Sequence, residues 1–314
     1  MKKAIITGAA GFIGRFLVRE LLQNNIEVFA VDRAGAAWNS LDGLTVHKLE
    51  CDLSSISGLP GMIADNDVDC IFHTAWQGVS GTNRKDASDW KIQLQNVNAA
   101  LNLIEAANSM HIKTFVCSGS IHEFEIMQEM SEGKLPCDPV NMYKAAKTMA
   151  HWMGKVKAGE YGIRFFNPMI IGAYGEQDKP SSLINSVIRK ILNGESPELS
   201  SGEQIYDFVH VSDIAHALYL IAEKGTEGKE YIIGSGNAKP LKDFLTEAGD
   251  IVNEMKGGER ISLGFGKHKG KAISLPKEAF DTSGLVNDTG FQPQISFNDG
   301  IKRTAEWIIS EKNG

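Results

Sequence analysis

A tyrosine and a lysine four residues apart, Tyr143 and Lys147, form the pair in this sequence best suited to move a proton. If the segment is helical, both side chains project from one face of the helix. A neighbouring ammonium favours the phenolate, so Lys147 is expected to lower the pKa of Tyr143 towards working pH. Such pairs also occur on solvated helix faces. Whether Tyr143 and Lys147 transfer a proton therefore depends on the other motifs of the chain.

Three glycines at a spacing of three follow the first apolar segment, residues 3–7. The segment predicts a buried strand, and an amphipathic helix is predicted after the glycines. Gly8 would permit the tight turn, Gly11 would let the backbone approach a pyrophosphate, and Gly14 would let the helix pack closely on the strand. The order strand, turn, helix favours a nucleotide site over a purely structural turn.

An acidic residue closes the second predicted strand, residues 27–31, about 18 residues beyond Gly14. An acid at this spacing, Asp32, can bind the adenosine ribose hydroxyls, and a turn-forming acid is the alternative. Because its carboxylate would repel the 2′-phosphate of NADP, NAD is the expected cofactor. The neighbouring cation of Arg33 could partly reverse that preference, so NADP stays possible.

Three further strands are predicted, and each ends in residues suited to a ligand. They cover residues 45–49, 69–73 and 114–117, followed in turn by Asp52, by Thr74 with Ala75, and by Ser118 with Ser120. For Asp52, a bond to the adenine amino group competes with capping of a helix. Strands alternating with helices predict an α/β fold with a doubly wound parallel sheet of the Rossmann type. Ligands bind at the carboxyl ends of such strands.

Composition restricts the partners of the chain. Its 314 residues allow one or two domains, and a net charge of −7 argues against a general nucleic-acid or anionic-membrane surface. No apolar run is long enough to span a bilayer, and the first residues resemble a buried strand more than a signal peptide. Four cysteines without C-x-x-C spacing indicate core thiols in a reducing cytoplasm, and no cluster has metal spacing.

Taken in order, these motifs resemble those of extended short-chain dehydrogenases/reductases of the nucleotide-sugar epimerase/dehydratase type. The matching segments are TGAAGFIG (7–14), Asp52-Leu53, Asn98, Ser120, Tyr143 with Lys147, RFFNP (164–168), YDFVHVSDIAHAL (206–218) and YIIGSG (231–236). In this family Asn98 would support a relay of water to the active site, and Ser120 would be the catalytic serine or threonine after strand five.

The resemblance implies hydride transfer between a nicotinamide and C4 of a sugar. Tyr143 would move the proton of the C4 hydroxyl, Lys147 would also hold the nicotinamide ribose, and Ser120 would bind the same oxygen. Cofactor contacts are then expected from Gly8, Gly11, Phe12, Ile13, Gly14, Asp32, Arg33, Asp52, Leu53, Thr74, Ala75, Ser118, Tyr143, Lys147 and Asn167. Substrate contacts are expected from Ser120, Asn167, Tyr206 and Lys267.

Two departures from the family pattern bear on the reaction. The arginine that usually contacts the nucleotide diphosphate is Tyr206 here, and Lys267 in the basic stretch 266–271 either replaces it or lies on a solvated loop. The Thr-Asp-Glu of sugar 4,6-dehydratases is Ser-Ile-His at residues 120–122, which speaks against such a dehydratase.

The sequence is compatible with several functions. They are a nucleotide-sugar 4-epimerase, a deoxysugar 4-ketoreductase, a reductase of a non-nucleotide carbonyl substrate, and a non-catalytic dinucleotide-binding regulator. Segments 201–204, 241–244 and 263–266 are loosely similar to the ketoreductases.

The resemblance also implies a domain organisation and an oligomer. Residues 1–165 would form the NAD(P)-binding domain, joined by segments from about 204–235, and residues 166–314 mainly a smaller, interleaved substrate-binding domain. In this family, helices corresponding to 86–109 and 141–159 form a four-helix dimer interface. A homodimer is therefore expected.

Overall fold

The computed structural model describes residues 1–63, 67–79, 84–133, 141–268 and 275–313. The chain divides into two compact units. The first comprises Met1–Ile170, Ala215–Ile233 and Ser283–Phe291, and the second Ile171–Ile214, Gly234–Thr282 and Gln292–Gly314. The division therefore falls at Ile170 rather than residue 165, and residues 204–214 belong to the second unit.

The described residues form short strands and longer helices. The strands are β1 (Lys3–Thr7), β2 (Glu27–Asp32), β3 (His47–Glu50), β4 (Cys70–His73), β5 (Thr114–Cys117), β6 (Gly119–Ser120), β7 (Arg164–Phe166), β8 (Met169–Ile170), β9 (Gly172–Tyr174), β10 (Ile205–Tyr206), β11 (Phe208–His210), β12 (Ile232–Ile233) and β13 (Lys239–Pro240). The α-helices are α1 (Phe12–Gln23), α2 (Leu59–Met62), α3 (Arg84–Ala87), α4 (Trp90–Ser109), α5 (His122–Ser131), α6 (Asn141–Glu160), α7 (Leu183–Leu192), α8 (Val211–Lys224), α9 (Leu241–Lys256), α10 (Ser283–Thr289) and α11 (Phe297–Asn313). Short 3-10 helices cover Trp38–Leu41, Leu53–Gly58 and Lys277–Phe280.

A six-stranded parallel sheet forms the centre of the first unit, in the order β3-β2-β1-β4-β5-β7. Strands β4 and β5 are buried at every residue, as expected for parallel strands covered on both faces. The order reverses beside β1, so that β1 and β4 are neighbours and their carboxyl ends form the crevice where ligands bind in such folds. The predicted Rossmann-type α/β fold is confirmed.

A smaller parallel sheet in the same unit, β12-β8-β6, carries the predicted catalytic serine. In its register Ser120 of β6 pairs with Ile170 of β8. The serine amide and hydroxyl are thus held at the end of a strand rather than in a free loop.

The second unit has its own apolar core. Helices α7, α9 and α11 enclose a cluster of aromatic rings in which Phe208 contacts Tyr174, Phe244 and Phe297. Two short sheets accompany them, β9 with β11 in parallel and β10 with β13 antiparallel.

Candidate active site

The glycine turn after β1 forms a tight cradle of backbone. Gly8 has a left-handed φ of +72°, and a Cβ there would lie 2.7 Å from the Ala75 amide nitrogen. A Cβ on Gly14 would clash with the Gly8 carbonyl oxygen. The Thr74 hydroxyl donates to the Thr7 carbonyl at 2.8 Å, which ties the end of β4 to the turn. The expected cofactor residues Gly8, Gly14, Thr74 and Ala75 are therefore brought together.

The acid at the end of β2 is also part of this turn. The Asp32 carboxylate accepts hydrogen bonds from the amides of Ala10 at 3.0 Å and Arg33 at 2.9 Å. Arg15, which no sequence motif indicated, also belongs to the turn: its guanidinium donates to the carbonyls of Ala10 at 2.6 Å and Gly11 at 2.9 Å. A dinucleotide fits this cradle, since small residues leave room for a pyrophosphate and a carboxylate stands where ribose hydroxyls are bound.

Asp52 caps a short helix. Its carboxylate accepts from the Ser54 amide at 2.9 Å and the Ser54 hydroxyl at 2.7 Å. These hydrogen bonds, helped by the charge of Arg33, lower the pKa of Asp52. Leu53 packs against the core of the first unit. The structure thus shows the capping role, and contact with adenine stays a prediction.

The predicted proton-transfer pair lies beside Ser120, in buried surroundings. Tyr143 and Lys147 project from the first turns of α6, and the Tyr143 hydroxyl is hydrogen-bonded to the Ser120 side chain. The Lys147 ammonium donates to the Ser118 carbonyl oxygen at 2.7 Å. None of the four residues is more than 7% exposed. The arrangement can bind an oxygen with two hydroxyls and exchange a proton with it.

The charge state of the pair differs from the expectation. Burial raises the pKa of Tyr143 to about 12, the Ser120 hydrogen bond opposes this, and the carboxylates of Glu123 and Glu125 add to it. Burial lowers the pKa of Lys147. The expectation that the pKa of Tyr143 falls towards working pH is therefore wrong, because removal of the phenolate from water outweighs its stabilisation by Lys147.

A sequence model of the NAD dependent epimerase/dehydratase family matches residues 4–234, the span that contains the glycine turn and the Ser-Tyr-Lys centre. The chain belongs to this family. Among curated relatives, a probable dTDP-glucose 4,6-dehydratase from Sinorhizobium fredii is 26% identical over 337 residues, covering 98% of this chain and 93% of that protein. dTDP-glucose 4,6-dehydratase 1 from Escherichia coli is 25% identical, with the same coverage.

Solved structures share the fold at low identity. A UDP-glucose 4-epimerase from Thermotoga maritima, in complex with UDP-glucose, superposes with a TM-score of 0.76 at 22% identity over 99% of both chains. A double mutant of dTDP-glucose 4,6-dehydratase from Streptomyces venezuelae, with NAD bound, has a TM-score of 0.78 at 22% identity, covering 99% of this chain and 98% of that one. These likenesses confirm the fold.

One family residue was placed wrongly by the sequence. Asn98 is exposed on α4. Asn96, two residues earlier and therefore on a different face of the helix, is buried. Its side chain accepts from the Gln77 amide at 3.0 Å and donates to the Gln77 carbonyl at 2.9 Å. The asparagine that supports the segment after β4 is thus Asn96, and the exposure of Asn98 argues against the relay role predicted for it.

An aromatic residue that the sequence did not single out, Trp76, packs against Tyr143 and Lys147. Its ring centre lies 3.8 Å from the Lys147 ammonium, and its ring meets that of Tyr143 edge-on at 6.2 Å. The indole N–H donates to the side chain of Gln93 at 3.0 Å, which fixes the ring. The sequence could have indicated Trp76 by its position, because it directly follows Thr74 and Ala75 at the carboxyl end of β4.

The carboxylate of Glu123 is buried next to Ser120. It accepts from the Ser120 amide at 2.9 Å and the Asn167 side-chain amide at 3.2 Å, and pairs with His151 Nδ1 at 2.8 Å. Asn167, expected at cofactor and substrate, is itself buried. The sequence did not indicate the burial of Glu123, because a glutamate near a helix start is normally a surface residue.

A second carboxylate of α5 acts electrostatically on Tyr143. Glu125 contacts the His122 Nδ1 at 2.6 Å and the Lys144 ammonium at 2.8 Å. Burial opposes ionisation of Glu125, but His122 and Lys144 outweigh it and lower its pKa. The His122 ring centre is 5.9 Å from that of Tyr143. In the Thr-Asp-Glu pattern of sugar 4,6-dehydratases, the residue at the position of His122 is a glutamate.

Two predicted substrate residues belong to the second unit. Tyr206 of β10 is half-buried with its ring centre 4.9 Å from that of Phe208. Lys267 is exposed, and the basic residues Lys269 and Lys271 lie outside the described residues. In the part of the chain that the structure describes, no acidic, histidine and cysteine side chains are grouped to hold a metal ion, and no helix is long and apolar enough to cross a membrane.

Proposed function

We propose that this protein transfers a hydride between NAD and C4 of a nucleotide sugar, using Ser120, Tyr143 and Lys147. The observation that carries the proposal is the buried centre itself, in which the Tyr143 hydroxyl bonds the Ser120 side chain and the Lys147 ammonium is held by the Ser118 carbonyl. Membership of an NAD dependent family supports the cofactor, and the nucleotide sugars of its relatives support the substrate class.

NAD would be held by the glycine turn, with Asp32 on the adenosine ribose and Lys147 on the nicotinamide ribose. When bound, the nicotinamide supplies or accepts the hydride. Asp32 favours NAD over NADP, because a 2′-phosphate would meet its carboxylate. Arg33, the next residue, is exposed. If NADP binds, the guanidinium of Arg33 would be the group that accommodates its 2′-phosphate.

The residues of the chain move the proton and hold the substrate oxygen. With its pKa raised, Tyr143 carries its proton at neutral pH and donates it to a 4-keto oxygen as that oxygen becomes a hydroxyl. Ser120 hydrogen-bonds the same oxygen and stabilises the negative charge that develops there. The Lys147 charge stabilises the phenolate that remains. In the opposite direction the phenolate takes the proton back from the hydroxyl.

The reaction has two versions, C4 epimerisation with the NAD retained, and 4-keto reduction with release of the oxidised cofactor. The relatives named as dehydratases are similar in sequence, but Ile121 and His122 replace the acidic pair of that type. We therefore favour the two versions without water elimination. Asp32 and RFFNP point to the epimerase, and the loosely similar later segments to the ketoreductase.

A pair of assays separates these versions. Loss of reduced-cofactor absorbance that requires a 4-keto sugar and added NADH or NADPH supports a ketoreductase. Conversion of a nucleotide sugar to its C4 epimer without added cofactor supports an epimerase. Denaturation of the purified protein and mass spectrometry of the released molecules identify the dinucleotide and any nucleotide sugar. Turnover of a carbonyl substrate without a nucleotide would instead support a reductase of that kind. Absence of any turnover, together with a Tyr143→Phe variant that behaves like the wild type, would support a non-catalytic dinucleotide-binding regulator.

We further propose a homodimer that packs through α4 and α6. Both helices carry apolar side chains that are exposed in the single chain: Trp90, Leu94, Met142, Met149, Trp152, Met153 and Val156. Trp90, Trp152 and Val156 are more than half exposed. Apolar faces of this kind mark protein interfaces. A reducing, cytoplasmic setting is supported by the three buried free thiols of Cys51, Cys70 and Cys117.

A further inference from the structure

We propose that Glu123 is a positioning residue of the Ser-Tyr-Lys centre, and that an ion chain through His151 to Glu230 keeps its buried carboxylate charged. The inference rests on the proposed function and adds to it a group that does not touch the substrate. It concerns three residues that the motifs of the sequence do not contain.

The contacts of Glu123 place it between three segments of the site. One carboxylate oxygen accepts from the Ser120 amide at 2.9 Å, at the end of β6. The same oxygen accepts from the Asn167 side chain at 3.2 Å, just after β7. The second oxygen lies 2.8 Å from His151 Nδ1 on α6, the helix that carries Tyr143. A single side chain, only 1% exposed, thereby sets the serine relative to the tyrosine helix.

The protonation of His151 follows from its partners. Its Nδ1 faces Glu123 at 2.8 Å and its Nε2 faces Glu230 at 3.1 Å. Carboxylates only accept hydrogen bonds, so both ring nitrogens must donate and the ring is an imidazolium. Glu230 in turn pairs with Lys155 at 2.6 Å, at the protein surface. The chain of charges balances the buried carboxylate, which would otherwise be costly to keep ionised.

The orientation of Asn167 is a further consequence. Because Glu123 only accepts, the side chain of Asn167 must turn its amide nitrogen towards the carboxylate. Its carbonyl oxygen is then left to accept from a ligand. Asn167 would therefore recognise a donor, either a sugar hydroxyl or the carboxamide N–H of a nicotinamide. Without Glu123, both orientations of the amide become available and this recognition is lost.

The charge of Glu123 also acts on Tyr143. The titratable groups around the phenol on α5 and α6 are Glu123, Glu125, His122, Lys144 and Lys147. Among them the two carboxylates favour the protonated phenol. A neutral side chain in place of Glu123 removes one of them, so the phenol should lose its proton at lower pH. A residue that merely fills space would leave this titration unchanged.

The kinetic test uses Glu123→Gln, which keeps the shape and removes the charge. We expect kcat for C4 hydride transfer to fall about 10- to 100-fold, and the pH profile to move to lower pH by about one pH unit. Asp213→Asn is the matched control, since Asp213 is an equally buried carboxylate that accepts from the amides of Gln294 and Ile295 in the second unit. It should reduce the thermal midpoint without moving the pH profile.

A second variant at the surface keeps the test decisive if Glu123→Gln folds poorly. Glu230→Gln removes the outer carboxylate, so His151 should lose its proton at lower pH and the alkaline limb of activity should move the same way. If Glu123→Gln loses stability like the control but keeps the wild-type kcat and pH profile, Glu123 is structural only and the proposal is overturned. An unmoved alkaline limb in Glu230→Gln would overturn the ion chain.

A readout without substrate separates this inference from the proposed function. The ultraviolet absorbance of tyrosinate is followed up to about pH 11, as a difference between each protein and its Tyr143→Phe derivative. We expect Tyr143 to begin to ionise in this range in Glu123→Gln and not in the wild type. That result would support Glu123 even if no sugar is turned over, and identical titrations would contradict it even if the enzyme is active.

Discussion

The ammonium of Lys147 lies 3.8 Å from the centre of the Trp76 ring while it donates to the Ser118 carbonyl at 2.7 Å. A cation held over an indole in a desolvated place is stabilised by about 2 kcal/mol. The indole is itself fixed, because its N–H donates to the buried side chain of Gln93. Lys147 is therefore held from two directions by the protein itself.

Replacement of Trp76 should impair catalysis in graded steps. Trp76→Phe keeps a ring for the Lys147 ammonium but loses the bond to Gln93, and we expect a loss in kcat/KM of a few-fold. Trp76→Leu also removes the ring, and the loss should reach about 10- to 30-fold, as expected for about 2 kcal/mol. Steady-state kinetics on both variants measure this. Equal losses in the two would show that the ring does not act on Lys147.

Removal of the phenol should abolish chemistry and spare the cofactor site. Tyr143→Phe deletes the only group of the centre that we assign to proton transfer, and we expect kcat to fall by about 100- to 10,000-fold. NAD affinity, measured by calorimetry, should fall far less than kcat, because Tyr143 is one of many expected cofactor contacts and the glycine turn is untouched. Tyr219→Phe, at a half-buried tyrosine of α8, is the control and should retain activity. Substantial turnover by Tyr143→Phe would exclude the proposed acid.

A methyl group on the third glycine should destroy the cofactor turn. In Gly14→Ala the new Cβ would meet the Gly8 carbonyl and lie 2.9 Å from the Ala9 Cα, so the backbone of the turn must move. We expect NAD affinity to fall at least about 100-fold and the thermal midpoint to drop. Gly159→Ala on α6 is the matched control, because no atom of the described residues lies within 4 Å of a Cβ built there. It should raise stability by about 0.5–1 kcal/mol.

The elements that the sequence predicted well are those with strong local signals. The apolar run before Gly8 forms a buried strand. The glycines that follow it are required because a Cβ at Gly8 or Gly14 would collide with neighbouring backbone. The pair Tyr143 and Lys147 followed equally from helical spacing. The parallel, doubly wound sheet of the first unit then followed from the alternation of strands and helices.

The features that escaped prediction depend on distant partners. Glu123 is buried because it meets His151 and Asn167, which lie far from it in the sequence. Asn98 and Asn96 are two residues apart on one helix, and only the packing of α4 decides which is buried. The pKa of Tyr143 likewise depends on burial, which the spacing of Tyr143 and Lys147 does not contain.

The proposed dimer gives a prediction that is independent of catalysis. Trp152 and Val156 are 52% and 66% exposed on α6, one turn of the helix apart. The double change Trp152→Asp with Val156→Glu places charges in the apolar face, and we expect light scattering to report a monomer instead of a dimer. Met130→Glu on α5 is the control, since Met130 is also 66% exposed but lies off the proposed face. A wild-type monomer would contradict the proposal.

The ion chain of His151 should make stability depend on alkaline pH. Burial by itself would lower the pKa of His151, but hydrogen bonds to Glu123 and Glu230 outweigh it and raise the pKa to about 9. The folded protein therefore binds this proton more tightly than the unfolded chain, in which the pKa of a histidine is about 6.5. The contribution is fully present below about pH 6.5 and is lost as the pH rises through about 9.

Thermal unfolding measures this loss. Between about pH 7 and pH 10 the midpoint of the wild type should fall by about 3–6 °C through this group, as expected for a loss on the order of 1–3 kcal/mol. His151→Gln should start lower and show a flatter dependence, because the titrating imidazole is gone. His216→Gln, which removes a partly exposed ring beside Glu20, should keep the wild-type slope. Parallel slopes in the wild type and His151→Gln would show that the imidazolium does not balance Glu123.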